Sequence, residues 1–246
     1  MGLATRIIPM LLHAHGALIK GVRFDAWRNV GHALQAARIH QARGVDEMLL
    51  LDVAATPEGL DTDLQLVGNL TADCFMPITA GGGVRSLQDV QGLLRAGADK
   101  VAIGAAIYTH PGIIRECSRA VGNQGIVAVL ETDHGKTFAH GGVGNPPSPE
   151  HMAKLLEIDG AGEILLMARD RDGTMEGYDL DTLVRVARAV DVPVIAAGGA
   201  GSYAHMDEAI RAGASAVAAG ALFQWGDATP KAAAQYLAQR GHEVRL

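Results

Sequence analysis

The sequence predicts an α/β fold: a single (β/α)8 TIM barrel built from two duplicated half-barrels. Three observations carry that expectation. First, short apolar runs of strand length alternate with longer helical patterns, eight times along 246 residues, a length that α/β barrels commonly use as one domain. Second, the strand runs are apolar throughout rather than alternating, as in a parallel sheet covered on both faces. Third, the chain repeats itself. Arg95-Ala-Gly-Ala matches Arg211-Ala-Gly-Ala, Pro77-Ile-Thr-Ala-Gly-Gly matches Pro193-Val-Ile-Ala-Ala-Gly, and Gly44-Val-Asp-Glu matches Gly160-Ala-Gly-Glu, all at one offset. A constant offset over three stretches reads as an internal duplication. The expected halves are about 1–122 and 123–246 of one domain, 1–246.

In chain order, strands are expected near Arg6–Leu12, Glu47–Val53, Met76–Gly81, Asp99–Gly104, Gly125–Leu130, Glu163–Ala168, Pro193–Ala197 and Ser215–Ala221. Between them, Ala33–Ile39 and Leu183–Val190 space apolar residues for one helix face. Asn145-Pro-Pro-Ser-Pro149 is the strongest loop signal and leads into a helix over Glu150–Glu157. An open doubly wound sheet is the rival. The duplication favours closure, because two four-strand halves complete each other's edges.

Composition narrows the function classes. The chain is 48% hydrophobic and 20% charged, with a formal net charge of −6. A large core is expected, and phosphate-backbone binding to nucleic acid is disfavoured. Cys74 and Cys117 form no disulfide framework. No apolar run has membrane-span length, and Met1–Arg6 has no signal-peptide pattern. The expected location is the cytoplasm. His13, His15, His134 and His140 lack a clear third and fourth metal ligand, so no metal and no cofactor is expected.

In a barrel of this kind, chemistry sits at the C-terminal ends of the strands. Glycines at the end of the third strand (Gly81, Gly82, Gly83) and of the seventh (Gly198, Gly199) let backbone N–H groups approach an anion. Asp172, Gly173, Thr174 and Gly220 are candidates for completing the second cradle. Two cradles suit a ligand phosphorylated at both ends. The alternative is that the glycines make tight turns and that Asp170–Thr174 closes a loop as an Asx turn.

Arg6-Ile-Ile-Pro9, Leu51-Asp52, Gly81-Gly-Gly83, Arg95–Val101, Gly162–Leu166, Asp170-Arg-Asp-Gly-Thr174, Gly177-Tyr-Asp179 and Gly198-Gly-Ala-Gly201 closely resemble the cyclase subunit of imidazole glycerol phosphate synthase, essentially end to end. The resemblance implies a barrel that takes ammonia from a glutaminase partner docked on its N-terminal face. At the C-terminal mouth, a bisphosphorylated ribulosyl imidazole-carboxamide is cyclised and cleaved. It implies two catalytic aspartates, ending the first and fifth strands. Those positions are Leu12 and Glu131 here. Leucine moves no proton, and Glu131 sets its carboxylate one methylene further out. His13 or His15 is a candidate replacement for the first acid; Glu131 is otherwise a solvated strand end. Lys20 and Asp52 are retained as mouth contacts. The mouth is more apolar than the resemblance leads one to expect, with Gly104, Ala105, Met167, Ala197 and Ala221 at positions where polar residues are typical. The strand-five loop, Thr132–Gly144, is shorter.

The resemblance also implies an ammonia gate at the barrel floor, formed by Arg6, Glu47, Lys100 and Glu163, all retained in type. The alternative is a salt-bridged structural plug. The leucine-rich end of the first strand, Cys74-Phe-Met-Pro77 and Gly213–Phe223 are similar to a branch of the family found with surface-polysaccharide genes. There the barrel and its glutaminase serve a sugar amidotransferase that converts an acetamido to an acetamidino group. Three readings follow. The first is an ammonia-conducting subunit for sugar amidination. The second is a genuine cyclase of histidine biosynthesis, and the third a scaffold subunit without chemistry.

Overall fold

The computed structural model describes residues 4–140 and 144–246. Met1–Leu3, at the start of the segment read for a signal peptide, and 141–143, within the strand-five loop, lie outside the described residues. Eight parallel strands close a barrel: β1 (Arg6–Ala14), β4 (Met48–Asp52), β5 (Ile78–Gly81), β6 (Lys100–Ile103), β7 (Ile126–Asp133), β9 (Glu163–Ala168), β10 (Val194–Ala197) and β11 (Ala216–Ala219). Each hydrogen-bonds to its neighbour in that order. Closure is made where β11 returns to β1, Arg6 pairing with Ala216 and Pro9 with Ala219. Among the described residues, three strands lie off the barrel. β2 (Ala17–Val22) and β3 (Asp25–His32) form an antiparallel hairpin on the end of β1, and β8 (Lys136–Thr137) pairs back on β7.

Side chains alternate across each strand, which splits the apolar residues into two cores. One fills the barrel: Ile8, Met10, Leu12, Leu49, Ala102, Val127, Val129, Leu165, Met167, Ile195, Ala197, Ala216 and Ala218. The other lies between sheet and helices, with Ile7, Leu11, Met48, Leu50, Ile78, Val101 and Ile126 from the strands. It receives the apolar faces of helices such as α4 (Leu87–Arg95), α6 (Ile113–Val121) and α8 (Leu180–Ala189). Several helices start where a side chain accepts a free N–H group of the first turn. Asp63 caps α3 (Leu64–Asp73), Ser86 caps α4, Asp179 caps α8 and Ser202 caps α9 (Tyr203–Arg211). Asp63 and Asp179, like Ser86 and Ser202, stand at the offset that relates the repeated segments.

The barrel strands lie where the apolar runs predict them, with ends displaced by a few residues; β1 continues past Leu12 to Ala14. The predicted helix near Glu150 runs over Pro149–Ile158 (α7). The hairpin of β2 and β3 has no counterpart in the sequence reading. Its outer strand is exposed from Asp25 to Val30, so burial imposes no alternation on it.

Candidate functional sites at the two ends of the barrel

At the N-terminal end, four charged side chains from the first residues of their strands, or the residue just before, converge on the barrel axis. Arg6 reaches Glu47 at 2.6 Å and Glu163 at 3.1 and 3.0 Å. Lys100 reaches both Glu47 oxygens at 3.2 Å and Glu163 at 2.9 Å. Signs alternate around a closed ring, each ion touching two of opposite charge. Thr79 donates its hydroxyl to Glu47 at 2.7 Å. Burial by itself would lower the Arg6 pKa, but Glu163 and Glu47 together outweigh it and raise the guanidinium above its ordinary value. Four charges in a largely buried place are tolerable only because all are paired. The predicted gate residues are therefore brought together in one ring. Above them the barrel interior is apolar, with alanine at 102, 197, 216 and 218.

At the C-terminal end, Leu12 points into the barrel and is fully buried. His13, next along β1, points the other way. It is buried, with its Nδ1 4.0 Å from Asp52 Oδ2. Burial lowers its pKa, opposed by Asp52 and Asp63. His15 is exposed and meets Glu58 at 3.3 Å. Neither histidine lines the mouth, so the structure does not bring either to the place that Leu12 occupies. Asp52 lines the mouth and also accepts the N–H groups of Ala54 and Ala55.

Glu131 is not the solvated strand-end carboxylate weighed from the sequence. One oxygen lies 2.8 Å from His140 Nε2, and the other takes a hydrogen bond from Arg169. Burial pushes its pKa up, but His140 and Arg169 together outweigh burial and hold it below the usual carboxylate range. Arg169 is stacked between two rings, its guanidinium carbon 4.4 Å from the centre of Phe24 and 4.1 Å from that of Phe138. The cavity of about 250 Å³ here is lined by Asp52, Gly82, Gly83, Gly104, Ala105, Val129, Glu131, Met167 and Arg169, among others. Phe24 and Trp27 of the hairpin close it from above. A wider cleft of about 910 Å³ lies beside the barrel, lined by His134, Lys136, Asp170, Arg171 and Arg185 among others. Leu12, Lys20 and Glu131 are not among its lining residues.

Lys20 is the largest fully buried side chain of the described residues. Burial lowers its pKa, opposed by Asp172, and Asp172 is raised by burial, opposed by Lys20 and Arg169. The lysine amine fills the place where a β-carbon on Gly220 would stand, 2.0 Å away. Gly173, at φ 72°, lies so close under the hairpin that a β-carbon would fall 2.2 Å from the Gly21 carbonyl oxygen. The Thr174 hydroxyl donates to the Arg171 carbonyl at 2.8 Å and accepts from the Glu176 N–H at 3.3 Å. It is engaged within its own turn. Gly198 and Gly199 follow β10 with φ of 89° and 99°. Gly82 and Gly83 of the first cluster thus face the cavity, whereas Gly173 and Gly220 of the second lie against the hairpin.

Sequence reasoning missed Arg169 and Phe138, treated His140 only as a metal candidate, and gave no role to Phe24. The signal for Arg169 was present: Met167 points inward, so the residue two further along continues that face. Among the described residues, no group of three or more His, Cys, Asp or Glu side chains could hold a metal ion. Cys74 and Cys117 are both free and buried. Among the described residues, no helix is long and apolar enough to cross a membrane.

Comparison with known proteins supplies the family. The sequence model of the histidine biosynthesis protein family matches residues 6–229. The chain is 43% identical over 249 residues to imidazole glycerol phosphate synthase subunit HisF of Hyphomonas neptunium (strain ATCC 15444), an alignment that spans 99% of each chain.

Proposed function

We infer the function from one premise: the chain belongs to the family of HisF, the cyclase subunit of imidazole glycerol phosphate synthase. On that premise it is the barrel subunit of a glutamine-dependent amidotransferase complex. A glutaminase docks on the N-terminal face and releases ammonia there. The ring of Arg6, Glu47, Lys100 and Glu163 is the gate, and the apolar interior is the conduit. An apolar tube suits neutral ammonia and excludes ammonium, because an unpaired ion in such surroundings loses its hydration without replacement.

The observation that carries the finer reading is the state of the mouth. Leu12 supplies no proton, and both oxygens of Glu131 are bonded to His140 and Arg169. A pair of carboxylates with different environments is what acid–base cyclisation requires. We therefore read a subunit whose conduit is retained and whose reaction has changed, serving a sugar amidotransferase that turns an acetamido into an acetamidino group. Gly82 and Gly83 remain available to a small phosphorylated ligand; a non-catalytic scaffold role is the limiting form of this reading. The second reading, a cyclase of histidine biosynthesis, is favoured by the full-length similarity to HisF.

Two experiments test these readings. Purified protein given the ribulosyl imidazole-carboxamide substrate and saturating ammonium salt should show no turnover beside an active control enzyme; clear turnover assigns the chain to histidine biosynthesis. Separately, a cognate glutaminase should co-purify with the chain and hydrolyse glutamine faster in its presence. No complex and no stimulation would remove the conduit reading.

A further inference from the structure

The tip of the β2–β3 hairpin is built from backbone that L-residues rarely adopt: Arg23, Phe24 and Ala26 have φ of 57°, 57° and 52°. Such conformations persist where the surroundings fix them. The loop after β9 does so at three points. The Arg23 N–H donates to the Asp172 carbonyl at 2.8 Å, and Arg23 Nε donates to the Asp170 carbonyl at 3.1 Å. The Phe24 ring lies on the Arg169 guanidinium, and Trp27 stands edge-on to Phe24 with centroids 5.7 Å apart.

Arg169 has a second face and an edge. Phe138 covers the face and Glu131 takes the edge. A planar guanidinium can stack on rings and fork onto a carboxylate at once, which a lysine cannot. One side chain therefore joins the hairpin to the buried carboxylate, and Phe24, Arg169, Glu131, Phe138 and His140 all face the same cavity. We propose that Arg169 is a positioning residue that ties closure of the β2–β3 hairpin to the placement of Glu131. With the hairpin down, the guanidinium is trapped between Phe24 and Phe138 and keeps Glu131 against His140. With the hairpin up, Arg169 loses one covering ring and becomes free to turn away. The grip of Arg169 on the carboxylate then loosens in the same event that opens the cavity to a ligand. This link does not depend on which reaction the complex performs.

The test is a coupling measurement on the full chain. Amide hydrogen exchange at Arg23 reports the hairpin, and carbon NMR of the labelled Glu131 carboxyl reports the carboxylate. Phe24→Ala does not remove any group bonded to Glu131, yet it should move the Glu131 titration to higher pH. Glu131→Gln does not touch the hairpin, yet it should speed exchange at Arg23 by about threefold to tenfold, in the lower part of the coupling range of side chains in contact. In an Arg169→Met background both effects should vanish. Arg169→Lys should keep a positive charge near Glu131 but release the hairpin, which separates stacking from charge if the methionine variant folds poorly. If Phe24→Ala leaves the Glu131 titration where it was and Glu131→Gln leaves Arg23 exchange unchanged within about twofold, the ring contact and the ion pair are independent. The proposal is then overturned.

Discussion

Arg6 and Glu163 meet end-on at the foot of the barrel, Nη1 and Nη2 facing the two carboxylate oxygens at 3.1 and 3.0 Å. Lys100 completes the same ring as a single point charge on Glu47 and Glu163. The two cations are not equivalent. The fork fixes the angle of Glu163, whereas the ammonium can swing between its partners.

That asymmetry sets the first expectation. Glu163→Ala leaves both cations half paired in a poorly hydrated place, so stability should fall by about 3 kcal/mol, the lower end of the range for breaking a buried pair. Arg6→Lys keeps the charge and loses the fork, and should cost about 1 kcal/mol. Urea unfolding at neutral pH measures both. Because the ring is shielded from solvent, added salt should change either difference little.

Gly173 supplies the second. Its φ of 72° is left-handed, and a β-carbon would meet the backbone of the hairpin at Gly21 rather than a yielding side chain. Gly173→Ala should therefore destabilise by about 1–3 kcal/mol and lift the hairpin. The expected signature is a lower Tm together with faster exchange at Arg23, whose N–H donates to the neighbouring Asp172 carbonyl.

His40 sets a pH dependence. It is buried beside Phe223 with ring centroids 6.5 Å apart. Burial first, and Arg43 second, lower its pKa from 6.5 to about 4. The fold therefore holds it neutral while the unfolded chain takes up a proton. Stability is full above pH 6.5 and falls as the pH drops toward about 4, below which the folded state protonates too. The loss should reach about 2 kcal/mol by pH 5 and about 3 kcal/mol by pH 4. Unfolding of His40→Gln across this range should lack that increment. His13, lowered by burial in the same direction, remains in both proteins and cancels in the comparison. The carboxylates held low, Glu131, Glu150, Glu157 and Asp207, also remain in both proteins and cancel likewise.

How far the sequence could be read follows from what constrains each residue. The eight barrel strands were legible because burial on both faces demands unbroken apolar runs. The charged ring was legible through the family resemblance, which points to Arg6, Glu47, Lys100 and Glu163; their places at or beside strand starts agree with one end of the barrel. The hairpin was not legible. β3 is exposed from Asp25 to Val30 and is held by pairing with β2, while the place of the hairpin is set by a few contacts of Arg23 and Phe24 with the β9 loop. The Arg169 cluster was hidden for a related reason. Its members come from the hairpin, from the end of β7, from the segment after β8 and from just past β9, and only the closed fold puts Phe24 and Phe138 on one guanidinium. Glu131 was found by position, but its bonding depends on partners 9 and 38 residues away.

The mouth gives the last expectation. Restoring acids should act in steps, because the two altered positions are held differently. Leu12→Asp places a carboxyl in the apolar interior, where its charged form is disfavoured and stability should fall by about 2–3 kcal/mol. Alone it should yield no cyclase turnover, since His140 still holds Glu131 when Arg169 turns away. Glu131→Asp shortens the partner by one methylene and should loosen that grip. The double variant should then show turnover of the ribulosyl imidazole-carboxamide with ammonium salt where each single variant shows none. Turnover in Leu12→Asp alone would mean that Glu131 moves freely as a proton carrier. No turnover in the folded double variant would mean that the apolar residues of the mouth, Met167 and Ala197 among them, exclude the substrate whatever acids are supplied.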